Sequence, residues 1–220
     1  MSNTDSVAFT PLNVAELVTH VGDVPGDRIR LRPPPGTATE TDLIRVCEDE
    51  KRLCELFDGT LMEKVMGALE SLLTAALIEY LRRFVRENDL GIILGPDCLL
   101  RYSADRVYLP DISFISWSQD PMREIGKHPI ANLHPDLAVE VLSKGNTLRE
   151  MQNKRHDYFA WGVGCVWELD PRKREMAIFT SPEEFTIVGN SKNLDGGDQL
   201  PGFSLPMAKI FEDADRGDRR

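Results

Sequence analysis

Apolar residues recur at three- and four-residue spacing through residues 67–88, where Leu69, Leu72, Leu73, Ala76, Leu77, Tyr80, Leu81 and Phe84 share one stripe. That period predicts the longest helix of the chain. Arg82, Arg83 and Arg86 crowd its last turns, where cations suit the helix dipole. Just before it, two half-apolar runs (53–57 and 60–65) flank Asp58-Gly59, the dipeptide of a tight hairpin turn. Short apolar runs follow at 91–94, 98–102 and 112–117, then a polar loop over 118–134. Residues 137–142 are almost continuously apolar and predict a strand buried on both faces. Thr147, with Glu150 three positions on, opens a second helix over 147–161, and Gly162 and Gly164 stop it. A strand pair over 165–169 and 176–179 turns at 170–173, and 184–188 can add an edge strand.

The first fifty residues have weaker patterning. One short amphipathic helix fits 13–20 through Val14, Leu17 and Val18, but Gly22, Pro25, Gly26 and Pro33-Pro34-Pro35-Gly36 deny anything longer. Residues 1–50 are therefore expected to form an arm or linker with little core of its own, 51–210 the folded domain, and 211–220 a charged, fraying tail. The order ββ-α-βββ-α-ββ predicts an α/β domain built on a mixed sheet.

Composition narrows the function classes. The 220 residues are 41% apolar and 28% charged, as in ordinary globular chains. A net charge of -10 argues against a basic nucleic-acid coat protein and a polybasic membrane binder. It leaves open an enzyme of nucleic acids that presents one basic face. Cys47, Cys54, Cys98 and Cys165 include no C-x-x-C pair, which argues against a zinc site or a disulfide scaffold and suits a reducing compartment. The first ten residues lack the pattern of a signal peptide. Glu70, Ser71 and Glu79 interrupt the longest apolar stretch well short of the ~20 residues that span a bilayer. A soluble, cytoplasmic protein is expected.

The chemistry is carried by acids on apolar elements. Glu140 stands between Val139 and Val141, where a charge is costly unless paired or metal-bound. Asp111 follows Leu109-Pro110 and precedes the apolar run at 112–115, and Glu70 lies near the start of the long helix. Taken singly, Asp111 fits a turn residue and Glu70 a dipole-favouring glutamate. Together, three such acids supply the oxygen ligands that Mg²⁺ or Mn²⁺ requires. Lys154, on the helix that follows the Glu140 strand, lies within reach of such a site; its ordinary alternative is a solvated lysine paired with Glu150 four residues earlier. Tyr158 fits a core position on the same face.

These residues occur in blocks that resemble a known family. Glu55-Leu56-Phe57-Asp58-Gly59, Leu109-Pro110-Asp111-Ile112, the run from Pro135 to Ser143, Lys154 with Tyr158 and Gly162, and Val166-Trp167-Glu168-Leu169-Asp170-Pro171 are similar to the Uma family of endonucleases, across about residues 50–180. That family belongs to the PD-(D/E)XK, restriction-endonuclease-like superfamily. The resemblance implies a mixed sheet flanked by helices and Mg²⁺- or Mn²⁺-dependent hydrolysis of DNA phosphodiester bonds, with a homodimer as a common working form. It assigns the metal to Asp111 and Glu140, with the Val141 carbonyl. Glu70, where the family often has histidine, is a further ligand or a replacement for it. The superfamily lysine normally stands two residues after the glutamate; Leu142 is there, and the Uma pattern supplies Lys154 from the helix instead. Arg82, Arg83, Arg86, Arg149, Arg155 and Arg172-Lys173-Arg174 are available for phosphate. A catalytically silent binding module and a hydrolase of small phosphoesters are the competing expectations. Clustered acids also predict that Asp111→Asn stabilises the metal-free protein.

Overall fold

The structure, a computed structural model, describes residues 9–217. Helices α1 (Val14–His20) and α2 (Glu40–Asp49) come first. The hairpin of β1 (Cys54–Phe57) and β2 (Thr60–Glu63) turns at Asp58 and Gly59, whose positive φ angles of 45° and 71° match the turn that this dipeptide favours. Then come α3 (Ala68–Glu87), β3 (Gly91–Leu94), β4 (Leu99–Ser103), β5 (Arg106–Tyr108), β6 (Ile112–Ser116), β7 (Ile130–Ala131) and β8 (Leu137–Val141). Helix α4 (Leu148–Trp161) leads into β9 (Cys165–Asp170), β10 (Glu175–Phe179), β11 (Phe185–Gly189), β12 (Asn193–Asp195), β13 (Ser204–Pro206) and α5 (Glu212–Gly217).

The strands do not form the one expected sheet. They divide into a five-stranded sheet, β2-β1-β5-β4-β7, a six-stranded sheet, β11-β10-β9-β8-β6-β3, and the small β12-β13 ribbon. β5 causes the division: it pairs with β1 and β4, so the hairpin gains its partners locally and never joins β6. The chain passes from the first sheet to the second at Leu109-Pro110-Asp111, between β5 and β6. In the second sheet β8 runs parallel to β9 and antiparallel to β6, so the sheet is mixed as expected. All five β8 positions are buried.

One face of that sheet is covered by α3. Leu73, Leu77, Leu81 and Val85 pack with Ile112, Phe114, Leu137, Val139 and Trp167, while Leu69 and Leu72 from the predicted stripe stay at the surface. The other face carries α4. Strand alternation sends Ala138 there, into a cluster with Tyr158, Val166 and Phe179.

Three expectations are corrected. The N-terminal segment is no coreless arm: Leu17, Val21, Val24 and Ile29 share the cluster of Tyr158, and Leu43 and Val46 from the unforeseen α2 pack against Leu56 and Leu61. Its Pro and Gly residues interrupt helices without preventing burial of the apolar residues between them. The polar loop contains β7, which pairs parallel with β4. The tail is held at its start, where Phe211 is buried and Arg174 makes a two-pronged bridge to Asp215 at 2.8 Å and 2.8 Å; residues 218–220 lie outside the described residues. Among the described residues no helix is long and apolar enough to cross a membrane.

Candidate active site

Three buried carboxyl groups meet where the two sheets adjoin: Glu55 from β1, Asp111 from the crossover and Glu140 from β8, exposed by 1%, 3% and 4%. Alternation within Val139-Glu140-Val141 turns the two valines toward the α3 core and Glu140 toward α4. From α4, Lys154 and Tyr158 stand four residues apart on one helix face and both reach Glu140. Lys154 Nζ lies 2.8 Å from Glu55 Oε1 and 3.3 Å from Glu140 Oε1, and the Tyr158 hydroxyl donates to Glu140 Oε1 at 2.6 Å. The Leu109 N–H donates to Glu55 Oε1 at 3.0 Å, and the Val141 N–H to Asp111 Oδ2 at 2.6 Å. A second ammonium arrives from Lys64, just past β2. Its Nζ is 2.8 Å from Asp111 Oδ1 and also donates to the Leu109 carbonyl. The Asp111 contact is an ion pair outside hydrogen-bond alignment, so Asp111 Oδ1 is buried without a hydrogen bond.

The helix that presents Lys154 is fixed at both ends. Thr147 and Glu150 form the predicted capping box, and Gly162 closes the helix at φ 106°, a conformation that favours glycine. Glu150 is itself buried and takes a two-pronged bridge from Arg28, at 2.8 Å and 3.1 Å. Burial pushes the Glu150 carboxyl up, but Arg28 and Lys154 more than offset this and hold it below its ordinary value. Glu150 is therefore no surface partner for Lys154, and the expectation of a solvated lysine does not hold: Lys154 is only 4% exposed.

Three carboxyls share two ammoniums. Lys154 serves Glu55 at the shorter distance and Lys64 serves Asp111, which leaves Glu140 least compensated. Burial raises the Glu140 carboxyl, Lys154 and Lys64 oppose this, and the neighbouring Asp111 and Glu55 reinforce it, for a net rise to about 7. Burial pulls Lys154 down, but Glu140, Glu55 and Glu150 together carry it above its ordinary value, so it stays charged. The folded protein thus holds the Glu140 proton more tightly than the unfolded chain. That contribution to stability is complete below the unfolded value near 4.5 and is lost as pH rises toward about 7. In chelator, parent stability is expected to fall relative to Glu140→Gln between these pH values. Denaturant titrations at several pH values check this, and parallel curves would contradict it.

The structure brings Asp111, Glu140 and Lys154 together and leaves Glu70 out. The Glu70 carboxylate folds back against Gly67 in the first turn of its own helix, where free N–H groups and the dipole favour it, and it is partly exposed. Among the described residues, no group of three or more His, Cys, Asp or Glu is placed to hold a metal ion. Short of such a group, Asp111 and Glu140 stand near enough that the charge of Asp111 raises the Glu140 carboxyl. Hard oxygen donors of this kind suit Mg²⁺ or Mn²⁺, and Asp111 Oδ1, which has no hydrogen bond and is paired with the Lys64 ammonium, is the donor that Asp111 could offer one. Of the arginines considered for phosphate, Arg155 is committed to Glu168 at 2.6 Å and Arg174 to Asp215, whereas Arg82 and Arg86 are exposed. Glu168 pairs with Glu140 in strand register, so Arg155 also limits the negative charge beside the site.

Two participants escaped the sequence analysis. Glu55 carried the same signal as Glu140, a carboxyl inside an apolar run, but the adjacent hairpin turn made it resemble an ordinary alternating strand. Lys64 carried no local signal.

The model of the Uma2 family, described as "Putative restriction endonuclease", matches residues 31–208. A crystal structure described as a "putative nuclease belonging to DUF820" from Anabaena variabilis shares the fold at TM-score 0.63 and 18% identity, covering 73% of this chain and 90% of that one. No curated protein matches the chain.

Proposed function

The chain belongs to the Uma2 family, and on that premise we propose that it is a metal-dependent endonuclease hydrolysing phosphodiester bonds of DNA. The observation that carries this reading is the buried junction itself: Asp111 held by the N–H of Val141, the residue after Glu140, with a charged lysine from the next helix leaning on Glu140. Asp111 and Glu140 would hold Mg²⁺ or Mn²⁺; Glu70, whose carboxylate lies beside Gly67, is not assigned to the ion. A bound divalent ion supplies Lewis-acid polarisation of the scissile phosphate and a water that ionises near neutral pH.

The chain's own residues do the rest. Tyr158 and Lys154 both contact Glu140 Oε1 and orient that carboxylate. The Val141 N–H fixes Asp111 through Oδ2 and leaves Oδ1 for a ligand. Lys154 takes the part of the lysine absent at Leu142, presenting an ammonium where negative charge develops on the phosphate. Helix position replaces strand position here because α4 folds back over the strand carrying Glu140. Without an ion the acids repel a phosphodiester, so DNA binding is expected to be weak in chelator.

The test is nicking of supercoiled plasmid by the purified chain with Mg²⁺, with Mn²⁺ and with EDTA, beside single-stranded DNA, RNA and a chromogenic phosphomonoester. Cleavage of plasmid that needs the ion and stops in EDTA is expected. Plasmid binding without cleavage would replace the proposal with a silent binding module. Turnover of the monoester alone would replace it with a small-phosphoester hydrolase.

A further inference from the structure

Lys64 offers something that the catalytic assignment leaves unused. Asp111 has two oxygens with different surroundings. Oδ2 is engaged by the Val141 N–H, whereas Oδ1, buried and without a hydrogen bond, faces one cation, the Lys64 ammonium at 2.8 Å. Oδ1 is also the oxygen that Asp111 has free for a divalent ion. We propose that Lys64 and the divalent cation are alternative occupants of Asp111 Oδ1, so that Lys64 holds the site together without metal and must leave for metal to enter. The inference rests on the nuclease reading of this site and adds a positioning residue that competes with the ion.

Electrostatics makes the two occupants exclusive. An ammonium and a divalent ion on one carboxylate oxygen would stand a few ångströms apart, in surroundings that screen their repulsion far less than water does. Lys64 is also built to leave, in contrast to Lys154. Lys154 is held on a capped helix, between two carboxyls and over the Tyr108 ring. Lys64 lies in the irregular connection 64–67 between β2 and α3, on a flexible four-carbon stem. Its second contact is the neutral Leu109 carbonyl, which can retain the ammonium beside the site after Asp111 is released. The arrangement explains why two acids can wait in a buried junction without metal. It also means that measured metal affinity is lowered by the share of molecules in which Lys64 occupies Oδ1.

The test is calorimetric titration of the full chain with Mn²⁺, comparing the parent with Lys64→Gln, Lys64→Met, Lys64→Arg and Asp111→Asn, beside melting curves in EDTA. Lys64→Gln keeps a donor for the Leu109 carbonyl and serves if the methionine variant does not fold. Both neutral variants are expected to bind Mn²⁺ about tenfold tighter, roughly 1.4 kcal/mol, and to melt several degrees lower in EDTA; Lys64→Arg, which keeps a cation, should stay near the parent. Equal or weaker Mn²⁺ binding by folded Lys64→Gln overturns the competition. If the parent binds Mn²⁺ and Asp111→Asn does not, that failure falls on Lys64 alone. Should the parent take up no Mn²⁺, or Asp111→Asn bind it like the parent, the nuclease reading falls, and the competition with it.

Discussion

Lys154→Met is expected to lower plasmid cleavage by about a hundredfold or more and to destabilise the protein by about 3–5 kcal/mol. The two losses have separate causes. The stability loss follows from burial: the ammonium is 2.8 Å from Glu55 and 3.3 Å from Glu140, and its removal leaves carboxyls in a junction that water hardly reaches. The activity loss follows from placement, since among the described residues no other lysine makes a hydrogen bond or ion pair to Glu140. The double variant Glu55→Gln/Lys154→Met separates them. Taking away the carboxyl that Lys154 serves most closely should recover a large part of the lost stability and none of the cleavage. Urea midpoints and single-turnover rates measure both quantities. A double variant that folds and cuts like the parent would reduce Lys154 to a counter-ion for Glu55.

Asp111→Asn is expected to abolish cleavage to a similar degree, about a hundredfold or more, through loss of the ion-binding oxygen. Its effect on stability reverses the expectation drawn from clustered acids. The amide oxygen of the new side chain could still accept from the Val141 N–H, but the ion pair with Lys64 would be gone and a largely buried ammonium would face a neutral group. The metal-free protein should therefore lose about 1–3 kcal/mol rather than gain stability. The sequence suggested repulsion because the acids were visible and their counter-charges were not. Melting in EDTA decides the sign: a higher midpoint for Asp111→Asn would show that repulsion between carboxyls outweighs the Lys64 contact.

The legible parts of the site were those with a local signature. Glu140 stood out because a charge interrupts an apolar strand, and the Thr147–Glu150 box and Gly162 marked both ends of α4. Asp111 and Lys154 acquired roles through motif blocks that keep their spacing. Glu70 shows the complementary case: its place near a helix start fitted a motif position, yet its carboxylate lies against Gly67 at its own helix terminus.

By itself the sequence determined the extent of α3, α4 and the β1–β2 hairpin and most of the positions on them that face a core, because those properties depend on hydrogen bonds and periodicities a few residues long; α2, β5, β7 and the β12-β13 ribbon carried no such local signature. Tertiary structure alone decided which charges meet. Glu55 and Lys154 are 99 residues apart, and Arg28 and Glu150 are 122 apart. Their pairing depends on β5 drawing the hairpin into a separate sheet and on the N-terminal segment packing against α4. Burial, which turns these separations into short, weakly screened distances, exists only in the folded chain, so the partners of a charge are set by the packing of the whole molecule.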